Sequence, residues 1–100
     1  MRTIHKIALY VTDFRRYLLQ GNNAKPLHVA IQHGRPCLWV ELDTQPPLVG
    51  VDPSNVPDQT TIGIVMVGTG YELPPGELEY LGTVLLEQGH LVMHVYWAKP

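Results

Sequence analysis

Between Ile4 and Trp97 the chain reads as seven short apolar runs cut by Gly, Pro and Asn, and no stretch carries the period of a long amphipathic helix. Alternation with a period of two puts successive side chains on opposite faces of an extended backbone, so this pattern restricts the chain to strands. The expected fold class is all-β: a small antiparallel sandwich or barrel of about seven short strands, with no long helix.

At 100 residues the chain has the length of one domain, residues 1–100. Hydrophobic residues make up 45% of it and charged residues only 16%, which leaves little charge to keep seven strands soluble alone and favours a homo-oligomer. Net charge is −2, and the Lys and Arg residues are scattered, without the basic stripe of a duplex binder. No duplex nucleic acid is expected, whereas a small anion needs only two or three cations. No apolar run approaches the roughly 20 residues of a membrane helix, and nothing resembles a signal peptide. The expectation is a cytoplasmic protein without membrane contact.

Ile4 to Val11 alternates as a first strand, Thr12-Asp13 turns, and Phe14 to Gln20 reads as a short second strand closed by Gly21-Asn22-Asn23. Leu27 to Gln32 follows, with Leu27, Val29 and Ile31 inward. His33-Gly34 then makes a tight hairpin into Pro36 to Asp43, where Leu38, Val40 and Leu42 oppose Cys37, Trp39 and Glu41. Pro36 belongs at a strand start or on an edge, because it cannot donate to a ladder. Residues 44–59 hold four prolines among polar residues and form a long loop, which is a lid, an arm or a spacer. Thr60 to Val67 suits a strand covered on both faces, and Tyr80 to Glu87 and His90 to Trp97 complete the set around a turn at Gln88-Gly89.

These strands supply little catalytic material. His90 and His94 have chelate spacing only on a helix; on a strand they stand roughly 13 Å apart, so no metal and no cofactor is expected. The only serine, Ser54, lies in the proline-rich loop without a nucleophile elbow, and Cys37, the only cysteine, reads as a small buried hydrophobe. Glu41/Asp43 and Glu77/Glu79 each share a strand face and read as solvated edges. The chain is therefore expected not to be an enzyme.

Binding residues stand out more clearly. Gly68-Thr69-Gly70 closes an apolar strand, where two glycines admit close approach and successive amides form a small anion cradle, or else simply turn the chain. Trp39 lies opposite the aliphatic set and reads as an interface or a stacking platform, unless a second layer buries it. Arg15, Arg16 and Arg35 are the candidate anion clamps, since a guanidinium group donates to phosphate in a planar fork, and salt bridges to Asp13 or Glu87 would account for them equally well.

The opening from Met1 to Asp13, the central stretch Val29 to Trp39, Gly68-Thr69-Gly70, the segment Leu78 to Thr83 and Leu91 to Val95 together resemble a family of small uncharacterised proteins encoded by phages and prophages. The chain departs from that pattern in its longer Gln45–Gln59 loop and in Tyr71, where a histidine is more usual. The resemblance implies stoichiometric binding in an infected or lysogenic bacterial host: a counter-defence sponge that sequesters a small anionic, nucleotide-like signal between subunits. Arg35, Trp39, Gly68, Thr69, Gly70, Tyr71 and His94 could line such a pocket. Two alternatives stand beside it. One is a protein-binding inhibitor or virion accessory factor acting through loop 44–59 or a sheet edge; the other is a small hydrolase using His94 with Glu41 or Asp43.

Overall fold

The computed structural model describes residues 1–45 and 58–100. Most of the expected proline-rich loop, with Ser54, lies outside the described residues.

Seven strands form two antiparallel sheets: β1 (Arg2–Ala8), β2 (Phe14–Gln20), β3 (Asn22–Gln32), β4 (Arg35–Asp43), β5 (Gln59–Gly68), β6 (Leu78–Leu86) and β7 (Leu91–Ala98). The first sheet has the order β1-β4-β3 and the second the order β2-β5-β7-β6. The protein is a small β-sandwich. Alternation explains the core: Leu38, Val40 and Leu42 from β4 meet Ile62, Ile64 and Met66 from β5 and Met93 and Val95 from β7, all buried. Each buried side chain of this size is worth roughly 1.5–3 kcal/mol relative to exposure.

The hairpin at His33-Gly34 forms as the sequence implies, with Gln32 opposite Arg35 and Ile31 opposite Pro36. Both turn residues adopt positive φ, 54° and 75°, as a two-residue hairpin turn demands. Pro36 lies at the start of β4, and the amide of Leu9 donates to its carbonyl at 2.9 Å.

Some boundaries differ from the sequence reading. β3 begins at Asn22 rather than Leu27 and runs through Pro26, which an edge strand with register shifts between Pro26 and His28 can accommodate. That irregularity takes Leu27 out of the inward set and leaves it exposed, whereas Val29 is buried and Ile31, on the same face as Val29 but beside the hairpin turn, is exposed at the sheet end. β1 ends at Ala8, so Leu9 is buried beyond the strand while Tyr10 and Val11 lie exposed in the crossing to the other sheet.

Gly21 is the corner at which β2 in one sheet becomes β3 in the other. Its φ is 143°, and a Cβ there would stand 2.5 Å from the backbone oxygen of Asp43. Only glycine fits that crossing without displacing the end of β4.

Candidate functional site

Strand register brings two of the expected arginines together on a residue that the sequence reading passed over. β1 and β4 pair through Ala8 and Cys37. The Leu9–Pro36 hydrogen bond continues that register, so Tyr10 comes opposite Arg35. The chain then crosses to the other sheet, where the Met66 amide donates to the Asp13 carbonyl at 3.1 Å and Arg15 pairs with Ile64 on β5.

The result is a stack. The Arg15 guanidinium carbon lies 4.1 Å from the Tyr10 ring centroid and 5.8 Å from that of Tyr17, and the Arg35 guanidinium carbon lies 5.3 Å from Tyr10. The Tyr10 backbone amide donates to the Tyr17 hydroxyl at 2.9 Å, which fixes the two rings to each other. Each guanidinium–ring contact contributes roughly 0.5–1 kcal/mol at an exposed position. Among the described residues, the ion pairs are those of Arg2 with Glu41 and Asp43 and of Lys99 with Glu79, and none involves Arg15 or Arg35. Stacked guanidinium groups keep their N–H edges available, and those edges match the oxygens of a phosphate or carboxylate.

The rest of the expected set does not converge there. Arg16 lies over Phe14 at 5.5 Å, beside a groove of about 430 Å³ that Trp97 and Lys99 also line. Trp39 is on the outer face of the three-stranded sheet, half-buried, with its ring centroid 6.1 Å from that of His28. It shares that face with Cys37, as the alternation implied, and Cys37 is buried there opposite Ala8 and Ala30.

Gly68-Thr69-Gly70 is a turn. The Tyr71 amide donates to the Gly68 carbonyl at 3.2 Å and Gly70 takes φ 91°, so the Tyr71 donor that an anion cradle would need is spent within the loop. Tyr71 packs over Gly68 and lines, with Phe14, Val67, Leu73, Leu91 and Met93, a groove of about 760 Å³. That groove is mostly apolar, with Asp13 and Glu72 also in its lining, and excludes Tyr10, Arg15 and Arg35, which form a surface feature rather than a cavity.

His94 occupies the outer face of the four-stranded sheet, bonded on both ring nitrogens. Nε2 meets the Thr69 hydroxyl at 2.7 Å and Nδ1 the Thr83 hydroxyl at 2.9 Å, and Thr83 in turn meets the Tyr80 hydroxyl at 2.5 Å. Glu41 and Asp43 belong to the opposite sheet and pair with Arg2 at 3.0 and 2.9 Å. The pairing of His94 with either carboxylate that a hydrolase would need is therefore not made. The Asn23 amide and then Arg2 hold the Asp43 carboxyl below its ordinary value, which suits a structural ion pair and not a general acid. Nor do three or more His, Cys, Asp or Glu residues gather in metal-binding geometry among the described residues. His90 follows a short 3-10 turn at Glu87–Gly89 and so shares no helix with His94.

Tyr10 and Tyr17 are the contacts that sequence reasoning missed. A usable signal existed: extending the first run in register against the hairpin strand sets Tyr10 beside Arg35.

Fold and surface together define a seven-stranded antiparallel sandwich with an aromatic–guanidinium cluster where one sheet passes to the other. The chain belongs to the family of a domain of unknown function, DUF7352, whose model matches residues 1–100. No curated protein and no solved structure gives a significant match. No helix among the described residues is long and apolar enough to cross a membrane.

Proposed function

We propose that this is a non-enzymatic binding protein that captures a small anionic, nucleotide-like ligand, with Tyr10, Arg15 and Arg35 as its charged and aromatic contact. One observation carries the reading: two guanidinium groups converge on a single tyrosine, and neither has a carboxylate partner among the described residues. Like charges brought near each other without a counter-ion are unfavourable, and an incoming phosphate relieves that repulsion. In the phage setting that the sequence resemblance implies, such capture acts by stoichiometry, as a sponge for a host defence signal assembled in a homo-oligomer.

Calorimetric titration with cyclic dinucleotides and ADP-ribose derivatives tests this. Heat of binding that falls at least about tenfold in affinity in Arg35→Ala, a loss of roughly 1.4 kcal/mol, supports it. Absence of heat with every compound at protein concentrations well above micromolar removes it.

A further inference from the structure

The two outer faces of the sandwich differ sharply in charge. On the three-stranded sheet, register places Arg2, Lys6, Lys25, Arg35, Glu41 and Asp43 on the outer side, around Trp39. On the four-stranded sheet, the outer rows read Phe14–Val65–Tyr96–Tyr80, then Val67–His94–Thr83, then Val92–Leu85. Among the described residues, Arg16 is the one charged residue aligned with these rows, on the edge strand, with its guanidinium over Phe14. Large apolar side chains nevertheless stand out from this face: Phe14 is 46% exposed, Tyr80 56% and Leu85 60%.

We propose that this face of the four-stranded sheet packs against the same face of a second copy, forming a two-fold dimer. Three features select a second copy over an unrelated partner. First, a two-fold axis sets one patch against a copy of itself, which is costly for a patch of like charges and costs this charge-poor one nothing. A heterologous partner chosen by charge would need charges to meet, and among the described residues the strands of this face offer Arg16, with Asp13 and Glu72 beside Phe14, Val65 and Val67 at its margin.

Second, most of the polar groups at the centre already meet one another. Thr69, His94, Thr83 and Tyr80 hydrogen-bond in an unbroken chain, which uses three of the four protons of these groups when the imidazole is neutral and leaves one terminal hydroxyl to find an acceptor across the interface or in a water. Covering such a network costs less than covering one whose donors all point outward.

Third, the size is right. Four strands about 4.8 Å apart and some eight residues long give a plan area of roughly 500 Å², and the ridged accessible surface of such a sheet approaches the roughly 800 Å² per partner of stable interfaces. Val65 and Val67 lie low between Phe14, Tyr96 and His94, so the face has ridges and hollows that a twin surface can interlock with.

The dimer stands independently of the ligand reading, and its test contains no ligand. Sedimentation equilibrium of the full chain at roughly 100 µM should return twice the chain mass, since a Kd near 1 µM leaves nearly all of it paired. Leu85→Glu and Tyr80→Glu, both at positions more than half exposed in the single chain, should weaken association by at least about 100-fold while leaving the circular dichroism spectrum unchanged. Ile4→Glu, on the outer face of the other sheet and 62% exposed, should leave the dimer intact. A monomer at that concentration overturns the proposal, as does an assembly that survives both Leu85→Glu and Tyr80→Glu or dissociates with Ile4→Glu.

Discussion

Replacing Gly21 with alanine tests the claim that one residue sets how the chain passes between sheets. A methyl group at this position would lie 2.5 Å from the Asp43 carbonyl oxygen and 3.4 Å from both the Asp43 carbonyl carbon and Thr44 Cγ2. The closest of these atoms is backbone at the end of β4, the central strand of its sheet, and so cannot swing aside. Two costs follow. Holding an L-residue at φ 143° contributes roughly 1–3 kcal/mol of strain, and displacing packed backbone a further 1–3 kcal/mol or so. A loss of about 2–6 kcal/mol in a domain of this length lowers the melting temperature by roughly 10–30 °C. Gly34→Ala is the control, because Gly34 has φ 75° with nothing within 4 Å of the added methyl and carries the conformational cost alone. Urea unfolding of both variants beside the parent chain measures the difference. If Gly21→Ala costs no more than Gly34→Ala, the steric account of the corner is wrong.

Leu38→Ala removes a fully buried side chain from β4 and should cost roughly 2–5 kcal/mol, read as a lower urea midpoint at unchanged slope. Asp43 is held below its ordinary value of 3.8 by Asn23 and Arg2, so its contribution is complete above that value and disappears as pH falls through the lower folded-state value. The urea midpoint should therefore drop in acid, and Asp43→Asn should flatten that part of the profile. Cys37 is buried, so its thiol should react with a disulfide reagent at the rate of unfolding, and rapid labelling of the native protein would contradict its placement. Tyr17→Phe removes the hydroxyl that accepts the Tyr10 amide, and should weaken anion binding with little loss of stability, about 0.5–1 kcal/mol.

The fold was legible because side-chain alternation and turn residues act locally. Leu38, Val40 and Leu42 against Cys37, Trp39 and Glu41 is a period-two pattern that any sandwich must respect, and His33-Gly34 is a turn that the two residues themselves specify. β3 was harder, since a register shift near Pro26 has no local signature and exposed Leu27 and Ile31 look identical in sequence to core residues. The site was legible only in pieces. The sequence singles out Arg15 and Arg35 as anion clamps, yet their meeting point on Tyr10 depends on which sheet each strand joins. Trp39 and His94, which share an apolar neighbourhood in sequence terms, end on opposite faces of the sandwich for the same reason.

Charge partition shows what register adds to composition. A chain with 16% charged residues could spread them thinly over every surface, and composition alone cannot tell that arrangement from a segregated one. Pairing decides it: six charged residues fall on the outer side of the β1-β4-β3 sheet, whereas only Arg16 aligns with the outer rows of β2-β5-β7-β6. At the centre of the sparse side, three hydroxyls and one imidazole link into a chain of hydrogen bonds that leaves little for water to satisfy. A face that stays in solvent gains by presenting charge, and a face that is covered gains by dispensing with it. The charge of the chain is thus concentrated on one sheet, and the charge-poor outer face of the other is where association should be sought first.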